Sequence, residues 1–370
     1  MTTKRANRPK KIAKRRGSSG FNYMQTSSSG GAPFLPANGF PMKPPFFDSV
    51  MLPDAFDGTK NKTDAVFEKE IIDRAKHLTP SAPTKAKVNE LTDKLMFALN
   101  IEKEEKTLND VRMNNIVKVG SFMTDTALNS SNKSDIVLQL STLPSFETVS
   151  AISKRVIENM QKSNFREVVQ SVSHDYGCCF MTPTAQVRLL VTIVPEIVNK
   201  LEPDLHLNEK KMMINFFAIG HYEWFLTLIE STDSDFLQEF RSLVRCLKDA
   251  RNRFFDLQPV SVWTIQYLAY YCLINGPNNQ RVNLGTAFRR FFELLAAGIL
   301  LPKTRCMIDP TNQNVQIGWE LTHQQRDSAT MGAQTLIRIF ATGNDGYRAV
   351  LGTHPSSRKE AYAKEIKTNC

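Results

Sequence analysis

At 370 residues, 41% of them hydrophobic, the chain is long enough to bury one large core or two smaller ones. No run of eighteen or more apolar residues is free of charge, and the greasiest stretch, Phe291 to Leu301, is short and follows Arg289 and Arg290, so no membrane span is expected. The six cysteines have no Cys-x-x-Cys or Cys/His spacing suited to zinc, which points to reduced thiols of an intracellular protein rather than to a disulfide scaffold or a zinc module.

The net charge of +10 suggests nucleic acid until it is located. Lys4, Arg5, Arg8, Lys10, Lys11, Lys14, Arg15 and Arg16 carry eight of those charges with no acid among them, which leaves +2 for everything after Arg16. The rest of the chain is therefore nearly neutral, and the whole-chain charge says little about a basic groove. The run holding Lys10, Lys11, Lys14, Arg15 and Arg16 reads as a nuclear import signal, with some attraction for phosphate, and places the protein in the nucleus. There is no apolar segment behind it of the kind that a signal peptide needs. Residues 1–45 turn from basic to rich in Gly, Ser and Pro, as at Ser27-Ser28-Ser29-Gly30-Gly31, and are expected to be disordered.

From Ala65 to about Asn115 the pattern is helical, with Val88, Leu91, Leu95 and Ala98 on one face. Asn115 to Val119 and Ser134 to Leu140 then read as two strands of a hairpin-like unit around a Gly-Ser turn and a polar loop. Phe146 to Met160 is an amphipathic helix, and Gln186 to Val194, rich in β-branched residues and stopped by Pro195, is a buried strand. After Pro203 the helical segments are about 207–228, 235–250, 260–274, 284–300 and 321–341. The last has a capping box, Thr322 with Gln325, an apolar stripe, and Gly343 as a stop. The fold class is therefore α+β: a mixed α/β half at 46–200, an all-helical half at 201–355 and a short tail at 356–370.

Val119-Gly120-Ser121 closes one strand, and Asp135-Ile136-Val137 opens the next. A Gly-Ser turn lets backbone and hydroxyl donors approach phosphate oxygens, and carboxylates two residues apart on a strand share one face, where they can hold magnesium. This arrangement resembles the nucleotidyltransferase signature, in which the strand carries Asp-x-Asp or Asp-x-Glu and a neighbouring strand gives a third acid. Here the second position is Val137, which cannot ligate magnesium, and Gln186 to Val194 contains no Asp or Glu. Gly120, Ser121, Asp135 and Val137 thus read as a vestigial nucleotide pocket, with no catalytic residue, metal or cofactor expected.

From about Val119 to Leu351 the sequence also resembles the DZF family (domain associated with zinc fingers). The resembling stretches include Ser134-Asp135-Ile136-Val137, Leu143-Pro144-Ser145-Phe146-Glu147, Leu201-Glu202-Pro203-Asp204-Leu205-His206-Leu207, Leu247-Lys248-Asp249, Phe288-Arg289-Arg290 and Ala333-Gln334-Thr335-Leu336-Ile337. The resemblance implies a nucleotidyltransferase-like fold without its catalytic acids. It further implies heterodimerisation, through the helical half, with another DZF protein bearing double-stranded-RNA-binding domains or zinc fingers. RNA would be bound mainly by that partner, and the pair would act in transcription and RNA regulation. Phe288, Phe291, Leu295, Leu336, Ile337 and Phe340 are the candidate dimer contacts.

Arg241, Arg245 and Lys248 form a helical stripe, continued by Arg251 and Arg253. They could contact phosphate or RNA, although a solvated face is the commoner fate of such a stripe. Trp263, Tyr267, Tyr270 and Tyr271 read as core rather than as base-stacking platforms, and the histidines as structural. Two rival functions follow: a residual transferase using Asp135 with Asp125, and direct binding of double-stranded RNA or DNA through the basic tail and the stripe.

Overall fold

The computed structural model describes residues 64–162, 168–277, 280–304 and 307–354. The basic run with its proposed import residues, the Gly/Ser/Pro segment and the 356–370 tail lie outside the described residues.

The chain enters through a 3-10 turn, Asp64–Phe67, and two helices, α1 (Glu68–His77) and α2 (Ala82–Glu105). Ser81 caps α2 by accepting from the Thr84 amide, and Pro83 sits in its first turn, where a missing N–H costs nothing. The sheet follows: β1 (Met113–Val119), β2 (Lys133–Leu140), β3 (Gln170–His174), β4 (Gly177–Met181) and β5 (Gln186–Ile193), in spatial order β1-β2-β5-β4-β3. The single helical turn α3 (Gly120–Met123) and helix α4 (Phe146–Lys162) lie between strands. β1 and β2 are antiparallel, whereas β2 and β5 run parallel with Asp135 beside Arg188 and Val137 beside Leu190. The expected hairpin and buried strand are thus present; β3 and β4 are additions.

Strand alternation divides the chemistry. Ile136, Leu138 and Leu140 of β2, with Val187, Leu189, Val191 and Ile193 of β5, bury into a core that also takes Val88, Leu91 and Leu95 of α2 and Val149, Ile152 and Val156 of α4. The opposite face carries Asp135, Val137 and Arg188, and Thr192 at its far end donates to the Met212 carbonyl of α5 (Glu209–Ser231). At 23 residues α5 has the length and hydropathy of a membrane span. Its buried side chains are instead shared between two cores, Met212 with the sheet and Trp224, Phe225 and Leu228 with the helices.

The second core is built from α6 (Ser234–Arg253), α7 (Val262–Ile274), α8 (Leu284–Ala296), α9 (His323–Phe340) and α10 (Asn344–Leu351). α1 joins it through Ile71 and Ala75, although it precedes the sheet in sequence. α8 stops short of the expected residue 300 because Gly298 adopts φ +82. The Thr322–Gln325 capping box forms as expected. The helical half is not wholly helical, however: β6 (Ile308–Asp309) and β7 (Asn312–Gln316) make a small hairpin. The buried Asp309 organises that hairpin, accepting from the Thr311 amide and hydroxyl, from Trp263 Nε1 at 2.8 Å, and pairing with His221 at 3.0 Å.

Candidate functional site

β1 delivers the chain to Gly120, whose φ of +83 turns it sharply beside β2. A Cβ at this position would stand 2.4 Å from Asp135 Oδ2, so only glycine permits the approach. Gly120→Ala should cost about 1–2 kcal/mol from the left-handed backbone alone. It should also displace the Asp135 carboxylate, read as a lower melting temperature with a shifted Asp135 environment in nuclear magnetic resonance.

Asp135 does not stand free. Arg188, directly across the parallel ladder, donates Nε to Asp135 Oδ1 at 2.6 Å. The Asp135 side chain is 13% exposed and that of Arg188 43%. Burial works against the charge on Arg188, but the adjacent carboxylate more than offsets it and holds the group above the usual arginine range. The strand that gives a third acid in the signature thus gives a cation here. Val137 is fully buried and offers no oxygen. Among the described residues no group of three or more His, Cys, Asp or Glu side chains is placed to hold a metal ion. This donor set does not fit a magnesium ion, which dehydrates reluctantly and would have to displace an arginine from a single carboxylate. Arg188 is the residue sequence reasoning missed. A lone arginine two residues from Leu190 in an otherwise apolar strand was the available signal.

Ser121 accepts from a lysine of the other half of the chain. Lys248 Nζ lies 2.8 Å from Ser121 Oγ and donates to the Thr126 carbonyl at 2.7 Å. The basic stripe of α6 is therefore not a solvated face. Arg245 and Lys248 are 7% and 5% exposed. Arg245 donates to the carbonyls of Asp125 and Ala127 and pairs with the Asp125 carboxylate at 3.1 Å; Arg241 donates Nε to the Thr124 carbonyl at 3.2 Å. Gln266 reaches the hydroxyls of Thr124 and Thr126, and Lys85 of α2 donates to Asp125 at 2.8 Å. The reason is geometric: residues 124–127 carry carbonyls with no ladder partner, and the stripe supplies donors to them. Arg251 and Arg253 also turn to protein: Arg251 to the Val260 carbonyl, and Arg253 to Asp249 and the carbonyls of Ala349 and Val350.

Asp125, the acid available to a residual transferase, is thus already held by two cations. Burial would raise its pKa, yet the Lys85 hydrogen bond and the charges of Arg245, Lys85 and Arg241 keep it below the usual carboxylate range. The candidate dimer contacts lie elsewhere again. Phe288, Phe291, Leu295, Leu336 and Phe340 are buried in the helical core, and Ile337 packs against it half-buried. These residues face their own chain, because α8 sits in the middle of the helical layer with α9 laid over it.

The assembly of a mixed sheet, a Gly-Ser turn facing an aspartate, and a helical half packed on the turn is a nucleotidyltransferase-like fold. The fold is similar to that of CdnC from E. coli MS115-1 in its complex with HORMA-deltaN (TM-score 0.53, 14% identity, 79% of this chain and 98% of that one). CdnC with ATP gives a TM-score of 0.50 at 14% identity over 77% and 96% of the two chains. Cid1 with its short product ApU gives 0.50 at 11% identity over 79% and 99%. The sequence is more specific than the fold: residues 31–229 match the DZF N-terminal domain and residues 239–369 the DZF C-terminal domain. The chain belongs to the DZF family.

Proposed function

We propose that this chain is a non-catalytic pseudo-nucleotidyltransferase subunit that heterodimerises with a second, RNA-binding DZF protein and acts with it in transcription and RNA regulation. The observation that carries the first half of this reading is the Asp135–Arg188 pair beside Val137. A carboxylate neutralised by an arginine at the matched ladder position, with a hydrocarbon where a second acid would be, leaves two-metal phosphoryl transfer without ligands. Asp125 offers no substitute while Lys85 and Arg245 hold it.

The second half rests on the family. Within it the sequence resembles interleukin enhancer-binding factor 2, the smaller subunit of a nuclear double-stranded-RNA-binding heterodimer, and the partner would be similar to interleukin enhancer-binding factor 3. The near-neutral charge after Arg16 supports a division of labour in which the partner holds most of the RNA and the basic N-terminal run serves nuclear import. The inward turn of the α6 stripe supports the same division, since those cations already serve the 124–127 loop.

Two measurements test this. Incubation of the purified chain with labelled nucleoside triphosphates, Mg²⁺ or Mn²⁺, and RNA should give no incorporation; incorporation that Asp135→Ala abolishes would overturn the non-catalytic reading. Coexpression with an RNA-binding DZF protein should yield a stoichiometric 1:1 complex, and a stable monomer with no affinity for such a partner would overturn the pairing.

A further inference from the structure

A second recess lies on the far side of the 124–127 loop, independent of the reading above. It is a cleft of about 320 Å³ between α1, the loop and the N-terminal half of α6, lined among others by Lys76, Asp125, Gln238, Arg241, Ser242 and Arg245. None of Ser121, Asp135, Arg188 or Lys248 lines it, so it is not the vestigial nucleotide pocket.

The charges in this cleft do not cancel. Asp125 is its one lining acid, and its carboxylate is shared between Arg245 at 3.1 Å and Lys85 at 2.8 Å, the latter reaching it from α2. Asp125 is also held at φ +51, a backbone that few non-glycine residues adopt, so the loop presents the carboxylate to these cations at some conformational cost. Arg241 remains in excess. It gives only Nε to the Thr124 carbonyl, and its two terminal amino groups have no acceptor among the described residues. The guanidinium is steadied over the Phe225 ring, 5.9 Å from the centroid, which fixes its direction without satisfying those donors. Lys76 is the other surplus charge, with a single exposed contact to Asp73 at 3.4 Å that water screens. Between the two, Gln238 and Ser242 add an amide and a hydroxyl. A guanidinium with two parallel free donors, an ammonium and neutral donors around a small concave space match the oxygens of a phosphate group.

We propose that this cleft binds the phosphate moiety of a compact phosphorylated small molecule. Its volume is at the lower end of small-molecule sites. It is walled by two helices rather than spread along a face, which favours a small ligand over a nucleic-acid backbone.

Titration calorimetry of the full chain with pyrophosphate, without divalent metal and at physiological salt, tests this. Saturable one-to-one binding is expected, weakened at least tenfold by Arg241→Gln and by Lys76→Glu and left within twofold by Lys154→Gln, an exposed position on α4. The Lys76 side chain is 68% exposed, so K76E should fold whatever becomes of R241Q. Absence of saturable binding, or binding that both cleft variants leave unchanged, would overturn the proposal. So would binding lost in K248M but kept in R241Q, which would assign the anion to the Gly-Ser turn. A short single-stranded RNA that binds with the same variant sensitivity, and far more tightly than pyrophosphate, would replace the small ligand by nucleic acid.

Discussion

Replacing Phe288 by alanine should lower the stability of the isolated chain by about 3–5 kcal/mol, which for a domain of this size is a fall in melting temperature of roughly 10 °C. Phe288 is fully buried on α8 and meets Phe292 edge-on at 5.2 Å, Tyr347 at 5.6 Å and Phe340 edge-on at 6.1 Å. Truncation would remove most of a ring from the point where α8, α9 and α10 converge. Neighbours there are fixed: the Tyr347 hydroxyl donates to the Gly285 carbonyl, and Arg290, itself fully buried, donates to the Cys272 carbonyl and stands over the Tyr271 ring. A cavity in such a layer relaxes little, which puts the expected loss in the upper part of the range for aromatic truncation. Thermal denaturation of the lone chain measures it. If Phe288 were a dimer contact instead, F288A would leave the melting of the lone chain intact and weaken only its association with a partner.

That contrast marks how far the sequence could be read. The spacing of Phe288, Phe291 and Leu295 establishes an apolar helical face, but periodicity is blind to whether the covering surface comes from the same chain. The same limit applies to the basic stripe. Arg241, Arg245 and Lys248 share a face by spacing alone, yet the carbonyls they serve at Thr124, Asp125, Thr126 and Ala127 lie more than a hundred residues away in sequence. Local features fared better. β2 and β5 were legible because their apolar residues are β-branched and bounded by turns, and the Thr322–Gln325 box because capping is settled within four residues. β3 was not, since four of its five residues face solvent and it is held by pairing with β4 and by one Ser171–Ser153 hydrogen bond to α4. Gly120, Ser121, Asp135 and Val137 were found from one short motif. Arg188, which completes the argument about metal, shows in the sequence only as a charge in a largely apolar strand, and its place opposite Asp135 needed the β2–β5 register.

Between pH 7 and 9 Lys248 should contribute about 2 kcal/mol of added stability, and Lys248→Met should remove that contribution. Burial pushes the Lys248 ammonium down from 10.5 to about 7, helped by the nearby positive charges of Arg251 and Arg245 and opposed only by Asp135. The sign follows from proton counting. Above about pH 7 the folded chain has released this proton, while the unfolded chain keeps it up to the ordinary lysine value of 10.5. The unfolded state therefore binds more protons throughout that window, and stability rises with pH. A neutral amine suffices in the fold, because its two N–H donors match the two acceptors it meets, Ser121 Oγ and the Thr126 carbonyl. Methionine fills a similar volume with nothing to titrate, so the variant isolates the slope whatever it does to absolute stability. From about pH 8 the buried thiols oppose this in both proteins alike: burial raises Cys178 and Cys246 from 9.0 to about 12, so the unfolded chain releases their protons first and stability falls as pH climbs. Urea titrations at matched ionic strength across pH 7 to 9 give the measurement. Parallel slopes for the two proteins would mean that Lys248 stays charged at neutral pH, and that the junction between the Gly-Ser turn and α6 is an ion site rather than a hydrogen-bonded clasp.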